Sequence, residues 1–322
     1  MNASSFTLDI SLAGQAERRN VLRRCLARRH QTPVELERQV SAFLEYARAL
    51  SIDLNHLWIC RSGAREAAAC ACIRSPGRTA MLLLPSGLVQ AVDARATRAM
   101  LGRISTTLLS SGVRLIQVLV EHDDDTLRQI LVSEQFEEVA LLRYLELPLE
   151  QAPLPVATPR DLAPDRFLWL DYSRETHPAF ARAIQESYTD SLDCPSLSRL
   201  RDVEDVIEGH KSTGLFRPDR WKLLVHDGDA VGCALIAEHP LRPMAEVVYM
   251  GVLPAFRNRN VARYLLGTML RNARQDGLQA ATLAVDSANN PGRKLYAHFG
   301  FRESTTRRAL ILHSGRAALN SD

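Results

Sequence analysis

The stretch that most constrains this chain is residues 246–263, Glu-Val-Val-Tyr-Met-Gly-Val-Leu-Pro-Ala-Phe-Arg-Asn-Arg-Asn-Val-Ala-Arg. Glu246 to Val252 is an apolar run of β-branched and aromatic residues, which predicts a strand. Pro254 ends it, because proline has no N–H for a ladder. A short polar turn follows, Arg257 to Asn260. Apolar side chains then recur at Val261, Leu265, Leu266, Met269, Leu270 and Ala273, one face of a helix. The first N–H groups of such a helix have no internal partner and carry partial positive charge, and Arg257, Arg259 and Arg263 surround them. That combination predicts a seat for phosphate. A solvated basic turn is the plainer alternative.

At 322 residues the chain is long enough for two domains. A net charge of only +3 provides no global field for nucleic acid, which is disfavoured as a partner. The six cysteines include no CxxC pair, and no histidine pair has zinc spacing near them. No metal is expected. Cys70 and Cys72 read as small buried residues on one strand face, and the pattern fits a reducing compartment. The N-terminus lacks a basic segment followed by an apolar one, and no apolar run approaches the roughly 20 residues that cross a bilayer. The expectation is a cytoplasmic protein with no membrane partner.

Along the chain, Arg18, Arg19, Arg23, Arg24, Arg28 and Arg29 fall beside a helical apolar pattern (Val21, Leu22, Cys25, Leu26). This predicts an amphipathic helix with a basic face, with anion or nucleic-acid binding as the alternative. A helix is expected over 34–50, strands near 57–61, 67–73 and 80–84, and a helix over 94–110 stopping at Gly112. Residues 113–120 read as a buried strand, 125–134 as a short helix and 139–147 as a strand. Pro148, Pro153, Pro155, Pro159 and Pro164 then mark a linker. The boundary is placed at 152, giving domains 1–152 and 153–322. The second half reads as a strand (166–172), a helix from Pro178, an irregular stretch from Thr189 to Pro195, and a helix over 202–212. A hairpin follows, turning at Asp227-Gly228-Asp229. After the central strand and helix, closed by Gly277, come a strand at 280–285 and a short helix capped by Asn290, ending at Gly300. A last strand runs to about 312.

The two halves repeat. A shift of 165 places Arg263, Leu266, Gly267 and Gly277 on Arg98, Leu101, Gly102 and Gly112. It places Val285, Phe301, Arg308, Leu310 and Leu312 on Val120, Phe136, Arg143, Leu145 and Leu147. The basic turn itself is not kept: Arg257 and Asn258 become Val92 and Asp93, and Tyr296 becomes Leu131. An acidic residue there repels an anion, so the first copy reads as structural.

Two motifs in the second half resemble those of the GNAT superfamily of acyl-CoA-dependent N-acyltransferases. The family's pyrophosphate signature, Arg/Gln-x-x-Gly-x-Gly/Ala, corresponds to Arg257-Asn-Arg-Asn260-Val-Ala262. Its second signature, Asn-x-x-Ala-x-x-Leu-Tyr-x-x-x-Gly-Phe, corresponds to Asn289 through Phe301, with Gly292 for alanine. Asn260 replaces the central glycine, and asparagine is the next best tolerated left-handed residue. The strong match covers about 220–312. Two tandem copies with only the second intact also resemble the layout of mycothiol synthase.

The resemblance implies an α/β fold, with a mixed sheet in each of two tandem GNAT-like domains. It implies acetyl-CoA as co-substrate and a small-molecule amine as acceptor. The acyl arm would lie along Met250, Gly251 and Val252. The phosphates would meet the N–H groups of Arg257, Asn258, Arg259, Asn260, Val261, Ala262 and Arg263, and Asn289 would hold the cofactor arm or cap a helix. Tyr296 corresponds to the family's general acid, and Glu246 to a carboxylate that serves some members as base. His226, His239 and His298 are weaker alternatives. The segment Tyr188–Leu197, with Asp190, Asp193 and Cys194, is a candidate acceptor wall or an ordinary loop. No cysteine has a nucleophile's setting, so direct attack is expected. A non-catalytic acyl-CoA-binding or scaffold module is the alternative function.

Overall fold

The computed structural model describes residues 7–87, 91–153, 158–197 and 200–317. Part of the proline-rich linker, residues 154–157 with Pro155, and the first six residues lie outside that range. The chain divides into two units: residues 1–139 with 307–322, and residues 140–306.

The first unit runs β1 (Leu8–Leu12), α1 (Arg18–Leu26), α2 (Pro33–Ala49), β2 (Leu57–Ser62), β3 (Arg65–Ser75), β4 (Thr79–Leu83), α3 (Ala91–Ser110), β5 (Leu115–Glu121) and α4 (Asp125–Ser133). The chain continues through β6 (Glu137–Pro148), β7 (Phe167–Asp171), α5 (His177–Ser187), α6 (Val203–Lys211), β8 (Leu215–His226), β9 (Asp229–Glu238) and β10 (Met244–Val252). Then come α7 (Val261–Gln275), β11 (Ala280–Asp286), α8 (Asn290–His298) and β12 (Arg302–His313).

Both sheets follow one plan. The first is ordered β1-β2-β3-β4-β5-β12, with β4 and β5 parallel. The second is ordered β6-β11-β10-β9-β8-β7, with β10 and β11 parallel. The remaining pairs described are antiparallel. The closing strands are exchanged along the chain. Arg307–His313, near the C-terminus, pairs with β5 of the first unit. Leu142–Pro148, mid-chain, pairs with β11 of the second.

The internal repeat is visible in backbone detail. Gly112 and Gly277 end their helices at φ 90° and 87°. Gln135 takes φ 69° where Gly300 takes 88°. Asp124 and Asn289 cap α4 and α8 in the same way, each accepting from the N–H three residues on. That last finding corrects one sequence expectation: the cap of α8 is Asn289, and Asn290 is its first helical residue. Strand β1 was not anticipated, because it is short and half exposed. The arginines of α1 are largely spent within the first unit. Arg19 and Arg23 pair with Glu37, Arg24 with Glu66, and Arg18 bonds Asn55.

In the second unit, α7 and α8 cover one sheet face. Leu266, Met269, Leu270 and Tyr296 pack on Ala234, Val247, Leu283 and Leu145. Helices α5 and α6 cover the other, with Phe180, Ile184 and Ile207 on Trp221, Leu223 and Leu235. Among the described residues, no helix is long and apolar enough to cross a membrane.

Candidate active site

The site begins with a fault in β10. Its pairing with β11 covers only Met244–Ala280, Ala245–Ala281 and Glu246–Thr282. Its pairing with β9 continues to Val252, through a register shift between Val247 and Tyr249. A bulge bends and twists the strand that carries it. So β10 stays on β9 and parts from β11, and a wedge opens beside Met250, Gly251 and Val252. Two glycines permit the tight packing there. A Cβ on Gly232 would stand 2.6 Å from the carbonyl oxygen of Gly251, and one on Gly251 only 2.5 Å from Ser187 Oγ.

A cavity of about 680 Å³ occupies the wedge. Of the residues picked out from sequence, the structure brings together Met250, Gly251, Val252, Arg257, Asn258, Asn260, Val261, Ala262, Arg263, Asn289 and Tyr296 on its walls. Arg259 and Glu246 are not on them. Arg259 is exposed, and its carbonyl accepts from Arg160 N–H at 2.8 Å. Glu246 sits where β10 and β11 begin to part; the residue as a whole is exposed, while burial around its carboxyl raises its pKa.

The turn before α7 has anion-binding geometry. Asn258 and Asn260 both take left-handed backbone, φ 62° and 63°. Left-handed residues flanking Arg259 curl successive N–H groups inward, the conformation of an anion nest. Asn260 makes no side-chain cap bond, which leaves the first N–H groups of α7 open to a ligand. The cavity volume, this turn and the adjoining Arg263 and Lys294 fit a long anionic co-substrate.

The Arg257 side chain has a structural task beside the cavity. Its guanidinium donates to three carbonyls: Val252 at 3.1 Å, Ser187 at 3.0 Å and Asp190 at 3.4 Å. It ties the end of β10 to the C-terminal end of α5 and the loop after it. Ser187 in turn donates to Ile184 C=O at 2.7 Å. With its proton committed there, Ser187 Oγ accepts from Tyr249 O–H at 2.5 Å.

Tyr296 is buried against Phe301, and burial raises its phenol well above the usual value. It therefore carries its proton near neutral pH, and the same burial makes it a weaker acid than a free phenol. Asn289 accepts from Gly292 N–H at 3.0 Å, and its side chain is near enough to Asp193 to lower that carboxyl's pKa. Asp193 stands on the cavity wall with Tyr249 and Tyr296. Burial of its carboxyl raises its pKa, and so does the charge of Asp286; the residue as a whole remains open to solvent on the cleft side. The Cys194 thiol is pushed up to about 12, mainly by burial. Sequence reasoning missed Tyr249 and Ser187. The bulge carries Tyr249 onto the cavity wall, and no local pattern marks a bulge within an apolar run.

Comparison with known proteins agrees with this geometry. Residues 181–301 match the model of the Acetyltransferase (GNAT) family. A mycothiol acetyltransferase from Thermomonospora curvata is 29% identical over 180 residues, 53% of this chain and 55% of that protein. The chain thus spans about half the length of the curated relatives it matches. Among solved structures, a GCN5-related N-acetyltransferase from Sphaerobacter thermophilus aligns over 95% of this chain and 96% of its own, with a TM-score of 0.61 at 15% identity. A tandem GNAT protein from the clavulanic acid biosynthesis pathway aligns over 96% and 99%, with a TM-score of 0.53 at 14% identity. The fold is a pair of GNAT-like units on mixed sheets.

Proposed function

We propose that this tandem GNAT-like chain is an acetyl-CoA-dependent N-acetyltransferase, with residues 153–322 catalytic and residues 1–152 a degenerate copy. It would move an acetyl group to a primary amine of a small-molecule acceptor by direct attack. The observation that carries the reading is the wedge between β10 and β11: it joins an anion-binding turn at Asn258–Asn260 to a protonated, buried phenol at Tyr296.

On this reading the pyrophosphate sits on the N–H groups from Asn258 to Arg263, and the pantetheine arm lies along Met250–Val252. The amine nitrogen attacks the thioester carbon, forming a C–N bond. As the C–S bond breaks, Tyr296 gives its proton to the departing sulfur. The phenolate is then reprotonated by the proton released from nitrogen. The Cys194 thiol, protonated up to about pH 12, supports attack without an acyl-cysteine stage. Replacing Tyr296 by Phe tests the reading. Acetyl-CoA binding is expected to persist, measured by calorimetric titration, while thiol release in the presence of amine falls about 100-fold or more. Unchanged turnover would remove Tyr296 from the mechanism. If the wild type binds acetyl-CoA and never consumes it with any amine, the chain is a binding module instead.

A further inference from the structure

We infer that Asp193 is the group that receives the acceptor's ammonium and takes its proton, which restricts the acceptor to aliphatic primary amines that are cationic in solution. The inference rests on the acetyltransferase reading and names the acceptor class for the same cleft.

Asp193 lies on the cavity wall shared by Tyr249 and Tyr296, and its charge acts on both phenols. It is held from outside the cleft. Its Oδ1 accepts from Asp286 N–H at 2.8 Å, at the end of β11. Asn289 spends its oxygen on the α8 cap, so its NH2 group is the part turned to Asp193. A carboxylate has about four acceptor positions. One is used by the Asp286 N–H, and the remainder are available to a ligand.

The neighbouring acids are less suited. Asp286 is only 5% exposed, and both its oxygens are engaged, by Ala288 N–H at 2.9 Å and Cys194 N–H at 3.3 Å. Asp190 also lines the cavity, with its backbone carbonyl tied to Arg257, and no described hydrogen bond positions its carboxylate. Glu246 is off the cavity wall. The groups facing Asp193 are Asp286 from β11, Asn289 and Tyr296 from α8, Tyr249 from β10 and Cys194 from its own loop. None is a cation. An incoming ammonium supplies the missing positive charge and is attracted at short range.

The proton balance closes. The ammonium passes one proton to the Asp193 carboxylate and becomes a neutral amine. The amine attacks the thioester carbon and the C–S bond breaks; sulfur takes the proton of Tyr296, the second proton of nitrogen restores the Tyr296 phenol, and the proton on Asp193 is released to solvent.

The test uses the full chain, Asp193→Asn and Asp193→Glu, with acetyl-CoA and four amines: glucosamine, phenethylamine and spermidine, all cationic, and p-toluidine, neutral at assay pH. Asp193→Asn is expected to lower kcat/KM for the cationic amine that the wild type prefers by about 100-fold or more, with partial rescue by Asp193→Glu. The acetyl-CoA dissociation constant and Tm are expected to stay near wild type. The acid limb of the wild-type pH profile is expected above the ordinary carboxylate range, and it vanishes in Asp193→Asn. Wild-type turnover in Asp193→Asn, an equal loss on p-toluidine, or a wild type that accepts p-toluidine alone overturns the assignment. A wild type that binds acetyl-CoA and acetylates none of the four overturns the function reading along with it.

Discussion

Replacing Arg257 separates two roles that the sequence motif merges. Its guanidinium donates two good hydrogen bonds, at 3.0 and 3.1 Å, and one weak one at 3.4 Å. From a charged donor, each good bond contributes about 1.5 kcal/mol at the low end of its range. The long contact adds little. A cation at the C-terminal end of α5 adds about 0.3 kcal/mol through the helix dipole. Arg257→Ala is therefore expected to cost about 3 kcal/mol, which for a unit of this size lowers Tm by about 6–12 °C. Because the lost bonds hold the loop carrying Asp190 and Asp193, KM for the acceptor is expected to rise more than the acetyl-CoA dissociation constant. Arg257→Lys recovers about one bond, since a single ammonium cannot span three carbonyls. Urea melts, calorimetric titration of acetyl-CoA at two salt concentrations and acceptor KM decide the matter. Unchanged stability, combined with weakened cofactor binding and a shallower salt slope, would show that the side chain faces phosphate, and the reasoning would fail.

Three further outcomes are expected. Asn260 is left-handed at φ 63°, so Asn260→Gly keeps or tightens acetyl-CoA binding. Asn260→Ala loses about 1 kcal/mol of stability and binds more weakly; tighter binding by the alanine variant counts against a nest at this turn. A Cβ on Gly251 collides with Ser187 Oγ, so Gly251→Ala costs about 1–3 kcal/mol, part of which Ser187→Ala restores in a double-mutant cycle; strict additivity would refute the contact. The Cys194 thiol, raised to about 12 by burial, Asp193 and Asp286, is protonated at pH 8 and labels slowly with iodoacetamide; mass-spectrometric detection of acetyl-Cys194 after incubation with acetyl-CoA alone would rule out direct attack.

The central element was legible because its signals agree. The apolar run, Pro254, the basic turn and the 3.6-residue periodicity of Val261 to Ala273 each point to strand, turn and helix. Asn258 and Asn260 take left-handed backbone, the conformation the chemistry of asparagine allows. What stayed hidden was long-range. In the shift of 165, Arg143, Leu145 and Leu147 align with Arg308, Leu310 and Leu312. The two closing strands thus carry one pattern, and a pattern names a buried face, not the sheet that buries it. Yet Leu310 and Leu312 pack in the first unit's core, and Leu145 and Leu147 in the second's. The bulge at Tyr249 and the Asp193–Asp286 clasp were hidden for the same reason. Asp193 and Asp286 are 93 residues apart, and nothing in either local sequence refers to the other.

The same cap position is used differently in the two copies. Asn289 in the second unit and Asp124 in the first occupy equivalent places at a helix start, and each accepts from the N–H three residues on. The difference is what the rest of the side chain does. Asn289 has an amide NH2 that reaches Asp193 and leaves the end of β10 free. Asp124 has a second oxygen, and it accepts from Gly87 N–H at 2.7 Å, the residue that aligns with Val252. Asp124, only 1% exposed, is thus held between its helix cap and the Gly87 backbone, beside a cavity of about 540 Å³ that Arg28 and Arg29 also line. Asp93, aligned with Asn258, adds a second negative charge and pairs with Arg65 at 2.8 Å. On the proposed reading of residues 1–152 as a degenerate copy, a change of binding would need no change of fold: two carboxylates, Asp124 and Asp93, stand where the second unit has two amides, Asn289 and Asn258, and both are engaged within the first unit.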